Sequence, residues 1–273
     1  MSRWTSQGRT AARKRQQSAI ALAVILTSLS ALSCSAPHEG SADHESGKEA
    51  SAWSEEGPME QEPGPTTDAT IPVTGSGTFT TASDSLDAVG PGTPRRYRVQ
   101  VEDSLVLSPS KAALEVNDIL ADPRGWTADG NGFQLVASQD IDFTVKIATP
   151  STVDAICGAA GLDTQGKVNC TVGSTVVVNL RRWMLGSPQF DGPIEEYRAL
   201  IINHEVGHRL GRSHEGCPGR GKRAPAMMQQ IKGLDGCKAN AWPYDSKGRY
   251  IKGPPVDRAR LWGIPDLILR FRR

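Results

Sequence analysis

Histidine is scarce in this 273-residue chain, with five in all, and Phe, Trp and Tyr together make only 5%. Apolar residues reach 38%, low for a chain that is core throughout, so part of it stands outside any core. Charge of one sign is lacking too. The 31 Lys and Arg meet 30 Asp and Glu for a net +1, which removes any overall pull toward nucleic acid or anionic membrane. No apolar run is long enough for several membrane spans. There is no internal repeat, no recognisable wall-binding repeat and no Cys-x-x-Cys pair. Collagen, coiled coil and low complexity throughout are excluded by composition.

Near-neutrality is a cancellation. Residues 1–33 carry five basic groups (Arg3, Arg9, Arg13, Lys14, Arg15) and no acid. Residues 34–75 carry nine acids and one lysine, and the remainder is net +4. Ser18 to Ser33 is a 16-residue apolar run behind the basic flank, short for a stable span. Basic flank, apolar run and small residues at its end read as an export signal. Three fates share it: cleavage before Cys34, lipidation of Cys34, or retention as an N-terminal anchor. Each puts the rest of the chain outside the cytoplasm. Residues 34–72 are acidic and rich in Ser, Glu, Pro and Gly, with too few apolar side chains to offset ordering entropy. They read as a disordered linker, so His38 and His44 are incidental. Residues 73–273 form the third segment, the folded domain.

Within it, Gly77–Thr81 and Arg95–Val101 read as strands, the second by its alternation. Pro109–Leu120 has a helical pattern with Ser108 or Ser110 as cap, stopped by Asp122-Pro123-Arg124-Gly125. Phe133–Ser138 and Phe143–Ala148 are further strands, followed by loop as far as Cys170. Thr175–Leu180 is a buried strand. The longest helical pattern runs from Pro193 to about Leu210. The C-terminal third is helix-poor and rich in Gly and Pro. This order predicts an α+β domain with one core. Four cysteines lie in it: Cys157, Cys170, Cys217 and Cys237. An even set outside the cell reads as two disulfides. Of three pairings, Cys157–Cys170 and Cys217–Cys237 are favoured because each closes a local loop. Thiolate zinc is the rival, which the missing Cys-x-x-Cys spacing disfavours.

Every histidine of the folded domain falls in eleven residues. Positions 204–214 read His-Glu-Val-Gly-His-Arg-Leu-Gly-Arg-Ser-His. Residues four apart share a helix face, so His204 and His208 can point at one ion. Ile194, Tyr197 and Ile201 continue that face inward. Glu205 sits about 100° around the helix, placed to bond a water on the metal rather than to ligate. Gly211 can end the helix in a left-handed conformation and let His214 return as third ligand. Three neutral imidazoles with an open position describe a catalytic Zn2+ site. Glu205 then serves as general base and afterwards as acid.

These eleven residues resemble the zinc signature of the metzincin metallopeptidases. That resemblance implies a twisted mixed sheet with a backing helix and an active-site helix, above an irregular C-terminal subdomain. It also implies a methionine turn beneath the metal, and Ala224-Pro225-Ala226-Met227-Met228-Gln229-Gln230 supplies one, with Met227 as the turn residue and Met228 beside it. The 95–245 region further resembles an actinobacterial family of secreted domains of unknown function. It shares an Arg-Arg-Tyr-Arg-Val strand, a paired-cysteine loop, Val-Val-Asn-Leu, Asn-His-Glu-Val-Gly-His and Ala-Pro-x-Met with Gln-Gln. There are departures from the metzincins. No Tyr follows the methionine turn. Glu215 follows the third histidine as in astacins, without the rest of that signature. The linker has no cysteine switch. The resemblance implies a zinc endopeptidase that acts on protein or peptide and holds it extended along an edge strand. With the export signal, the expectation is a monomeric, extracytoplasmic protein, secreted or tethered to the envelope. Two alternatives stay open: a non-catalytic zinc-binding envelope protein, and a zinc amidase acting on cell-wall peptides.

Overall fold

The computed structural model describes residues 71–256. The export segment, Cys34, the linker as far as Thr70, and the basic tail Arg270–Arg273 lie outside the described residues. Among those described, no helix is long and apolar enough to cross a membrane.

The fold is α+β. Six strands form one mixed sheet: β1 (Phe79–Thr81), β2 (Pro94–Glu102), β3 (Gly132–Leu135), β4 (Phe143–Ala148), β5 (Cys170–Val172) and β6 (Thr175–Asn179). The order is β1-β2-β4-β6-β5, with β3 also on β2. β2, β4 and β6 run parallel, and β5 returns antiparallel at the edge. The alternation of β2 decides its facing. Tyr97, Val99 and Val101 enter the core, and the register aligns Val99, Val145 and Val176 in one row of fully buried valines. Tyr97 stacks on its partner Phe143 with ring centroids 5.2 Å apart. This face is covered by α1 (Pro109–Ala121) and the long helix α4 (Ile194–Arg209), as Ala112, Val116, Leu120, Ile202 and Val206 join the same cluster. Ser108 caps α1, its side chain accepting from the Lys111 N–H. Leu114, part of the apolar pattern of α1, is exposed.

Two α-helices stand where none was expected. α2 (Pro150–Gly158) occupies the stretch expected to be loop. Thr152, Val153 and Ile156 are β-branched and Gly158 is the poorest ordinary helix former, so local propensity for a helix is weak. Tertiary contact supplies what propensity lacks, since Val153 and Cys157 are fully buried against Ala148 and Val177 on the second face of the sheet. α3 (Leu180–Leu185) begins where the buried strand was expected to continue. Asn179 ends β6 and caps α3 by accepting from the Arg181 N–H. β3 is shorter than expected and stops at Leu135. The C-terminal part is irregular, as expected.

Glu102 closes one end of the sheet. It is 1% exposed, and its carboxylate accepts from the Gly77 N–H, the Thr149 N–H and the Thr152 hydroxyl, each at 2.7 Å. Burial works against its charge, but these donors outweigh burial and hold its pKa below the usual 4.5. A depressed carboxylate pKa contributes stability above the unfolded value, and that contribution is lost as pH falls through the folded value. Glu102→Gln should therefore cost about 1–3 kcal/mol at neutral pH. The gap to wild type should narrow as pH drops below 4.5. Urea unfolding at several pH values measures this, and a gap that stays constant into acid would refute it.

Candidate metal centre

α4 carries two acids, Glu195 and Glu196, in its first turn, which suits the positive end of a helix. Its apolar face buries Tyr197 and Ile201. The helix ends in a Schellman arrangement. Gly211 has φ +80°, its N–H donates to the His208 carbonyl at 3.0 Å, and the Arg212 N–H reaches back to the Gly207 carbonyl at 2.9 Å. The reversal brings His214 back over the last turn. Nε2 of His208 and Nε2 of His214 lie 3.1 Å apart. One ring nitrogen from each of His204, His208 and His214 falls within 4.8 Å of the others. Among the described residues this is the one His, Cys, Asp or Glu group arranged to hold a metal ion.

Main-chain carbonyls orient two of the rings. Nδ1 of His204 is 2.8 Å from the Ala226 carbonyl, and Nδ1 of His208 is 2.9 Å from that of Arg212. With those nitrogens as donors, both Nε2 lone pairs stay free for an ion. Burial, and then the neighbouring imidazoles, lower the pKa of His204 to about 3 and that of His214 to about 4. Burial lowers His208 as well. The three rings are thus neutral, as ligands must be.

Glu205 is 5% exposed. Burial raises its pKa to about 7, against the pull of the Thr171 hydroxyl. That hydroxyl, on edge strand β5, is 2.8 Å from Oε2 and 3.0 Å from the main-chain carbonyl of the same residue. A buried carboxyl group whose pKa is raised toward neutrality can both take and return a proton.

Downstream of the histidines, the Met228 N–H donates to the Pro225 carbonyl at 3.0 Å and closes a tight turn. Its second residue, Ala226, is the one that holds His204. Met227 is fully buried in the main core, whereas Met228 packs apart with Ala224 and Cys237. The Glu215 N–H donates to the Met227 carbonyl at 3.1 Å. The Glu215 carboxylate accepts from the Tyr250 hydroxyl at 3.0 Å and the Gly253 N–H at 2.7 Å. The third histidine is thereby fixed between the methionine turn and the C-terminal segment. Two disulfides brace the arrangement. Cys157–Cys170 ties α2 to β5, and Cys217–Cys237 closes the irregular part. The four thiols are consumed in these bonds, which removes them as zinc ligands. Disulfides belong to an oxidising, extracytoplasmic environment.

The structure brings the three histidines, Glu205 and the Met227 turn into one region, and the neighbours that support this region carry almost no local sequence signal. Thr171, Trp126 (whose N–H donates to the Asn203 carbonyl just before His204), Tyr250 and Gly253 belong to no motif. The one signal for Thr171 was its place beside Cys170.

Fold and site together define a disulfide-braced α+β domain built around a buried three-histidine group able to hold a metal ion. The chain belongs to the DUF3152 family of proteins of unknown function, whose profile matches residues 65–245 and so spans the histidines, both disulfides and Met227. No curated protein and no solved structure matches it.

Proposed function

We propose that this chain is an extracytoplasmic zinc-dependent endopeptidase of metzincin type. One observation carries the reading: three neutral imidazoles are gathered within reach of one ion, with two Nε2 atoms freed by their Nδ1 partners, and the next residue after His204 is a buried glutamate. This donor set suits zinc, since nitrogen ligands and a position left open are the pattern of catalytic rather than structural zinc sites. His204, His208 and His214 would hold the ion. When bound, zinc supplies Lewis acidity.

The remaining work falls to the chain's own groups. The Glu205 carboxylate takes a proton from the attacking water and returns it to the leaving amine. Its burial raises its proton affinity toward that task. Strand β5 lies at the sheet edge nearest Glu205, and an extended peptide added there gains main-chain hydrogen bonds. The N-terminal segment supplies export, with the domain released or tethered through it.

The test uses the full chain. Metal content is quantified after purification, and a peptide library is digested with and without chelator. Stoichiometric zinc and cleavage abolished by chelator are expected. A chain without stoichiometric metal, or one whose metal supports no cleavage, would falsify the reading.

A further inference from the structure

We propose that Thr171 is the positioning residue of Glu205. The inference rests on the reading of Glu205 as the proton-transferring group. The Thr171 hydroxyl stands 2.8 Å from Oε2 of Glu205 and 3.0 Å from its carbonyl oxygen, so one side chain spans both ends of the same residue. No other side-chain partner of the Glu205 carboxyl group occurs among the described residues. A hydroxyl both donates and accepts. Standing within hydrogen-bond distance of both oxygens, it fixes the carboxyl group relative to the helix backbone that carries it. Ser offers the same hydroxyl, and Val, of the same shape, offers none.

Thr171 is itself held from two directions. Cys170, its neighbour, is bonded to Cys157 on α2. Thr171 is in register with Val176 of β6. The strand carrying the hydroxyl is thus anchored covalently one residue away and by its ladder, so the disulfide serves the site although neither sulfur touches it. The same strand is the sheet edge, and contact between its hydroxyl and Glu205 makes the alignment of a peptide on that edge and the aim of the base one geometric problem.

Thr171→Val and Thr171→Ser, made in the full zinc-loaded chain, test this. Thr171→Val should lower kcat about 10- to 100-fold with KM and zinc content near wild type. Thr171→Ser should restore most of kcat. The carboxyl-carbon NMR resonance of Glu205 should shift in the Val variant and stay near wild type in the Ser variant. A Val variant with unchanged kcat and unchanged resonance overturns the proposal, as does a Ser variant as impaired as the Val one. If wild type cleaves nothing, the peptidase reading fails by itself, and the resonance alone decides whether Thr171 positions Glu205.

Discussion

Glu205→Gln should lower kcat/KM for peptide cleavage by about a hundred- to ten-thousandfold while leaving bound zinc at wild-type stoichiometry. The amide keeps the shape of the carboxyl group and can still meet the Thr171 hydroxyl, so the change removes proton transfer and little else. Two of the histidine rings are oriented by the Ala226 and Arg212 carbonyls, which the substitution does not reach. Stability should move the other way in chain stripped of metal. Burial raises the Glu205 pKa from 4.5 to about 7, so its ionisation costs the folded state an amount that grows between those pH values and levels off above them. Gln carries no such cost. The variant should therefore gain on wild type as pH rises through that window, ending on the order of 3 kcal/mol ahead. Turnover, metal analysis and urea unfolding measure the three effects. A variant that keeps a substantial fraction of its turnover removes Glu205 from the chemistry, and one that loses zinc along with activity makes it a ligand.

The three-histidine group was legible because a helix imposes most of it. Spacing by four places His204 and His208 on one face, and a glycine three residues further on can only be cheap there if the chain turns. His214 followed from that turn, and the Schellman bonds of Gly211 and Arg212 are its realisation. The strands legible from alternation were those with one face in the core, β2 above all. What stayed hidden was set by contacts distant in sequence. α2 contradicts its own propensity and exists because Val153 and Cys157 have a surface to bury against. Thr171 meets Glu205 across 34 positions of chain, and Trp126 meets Asn203 across 77. Nothing in a local window encodes such pairings. The methionine doublet shows the limit well. Met227 and Met228 are equivalent as letters, and only the turn at Pro225 sends one into the main core and the other into a separate cluster.

Gly207 should tolerate no larger side chain, and Gly207→Ala should weaken zinc binding about 10- to 100-fold. Helix propensity alone predicts a gain of about 1 kcal/mol for Ala over Gly inside α4. Packing opposes it. A Cβ at Gly207 would overlap the sulfur of Met227 and lie 2.8 Å from a ring carbon of Trp126. Met227 and Trp126 are both fully buried, so relief requires the methionine turn or the indole to shift. Either shift reaches the histidine group. The turn carries the Ala226 carbonyl that orients His204, and the Trp126 N–H donates to the Asn203 carbonyl at 2.9 Å, one residue before the first ligand. Overpacking of this kind costs about 1–3 kcal/mol, enough to cancel the propensity gain and leave the variant less stable than wild type. A second substitution separates packing from other causes. Met227→Ala alone opens a cavity and should cost about 2–5 kcal/mol. Combined with Gly207→Ala it also removes the overlap, so the double variant should be more stable than the sum of the two costs allows, by roughly 1 kcal/mol or more. Urea unfolding of the metal-free chains and zinc competition against a chelator supply the four corners of that cycle. Strict additivity, or a Gly207→Ala protein with wild-type zinc affinity, would show that the close approach of Met227 to α4 does not govern the metal centre.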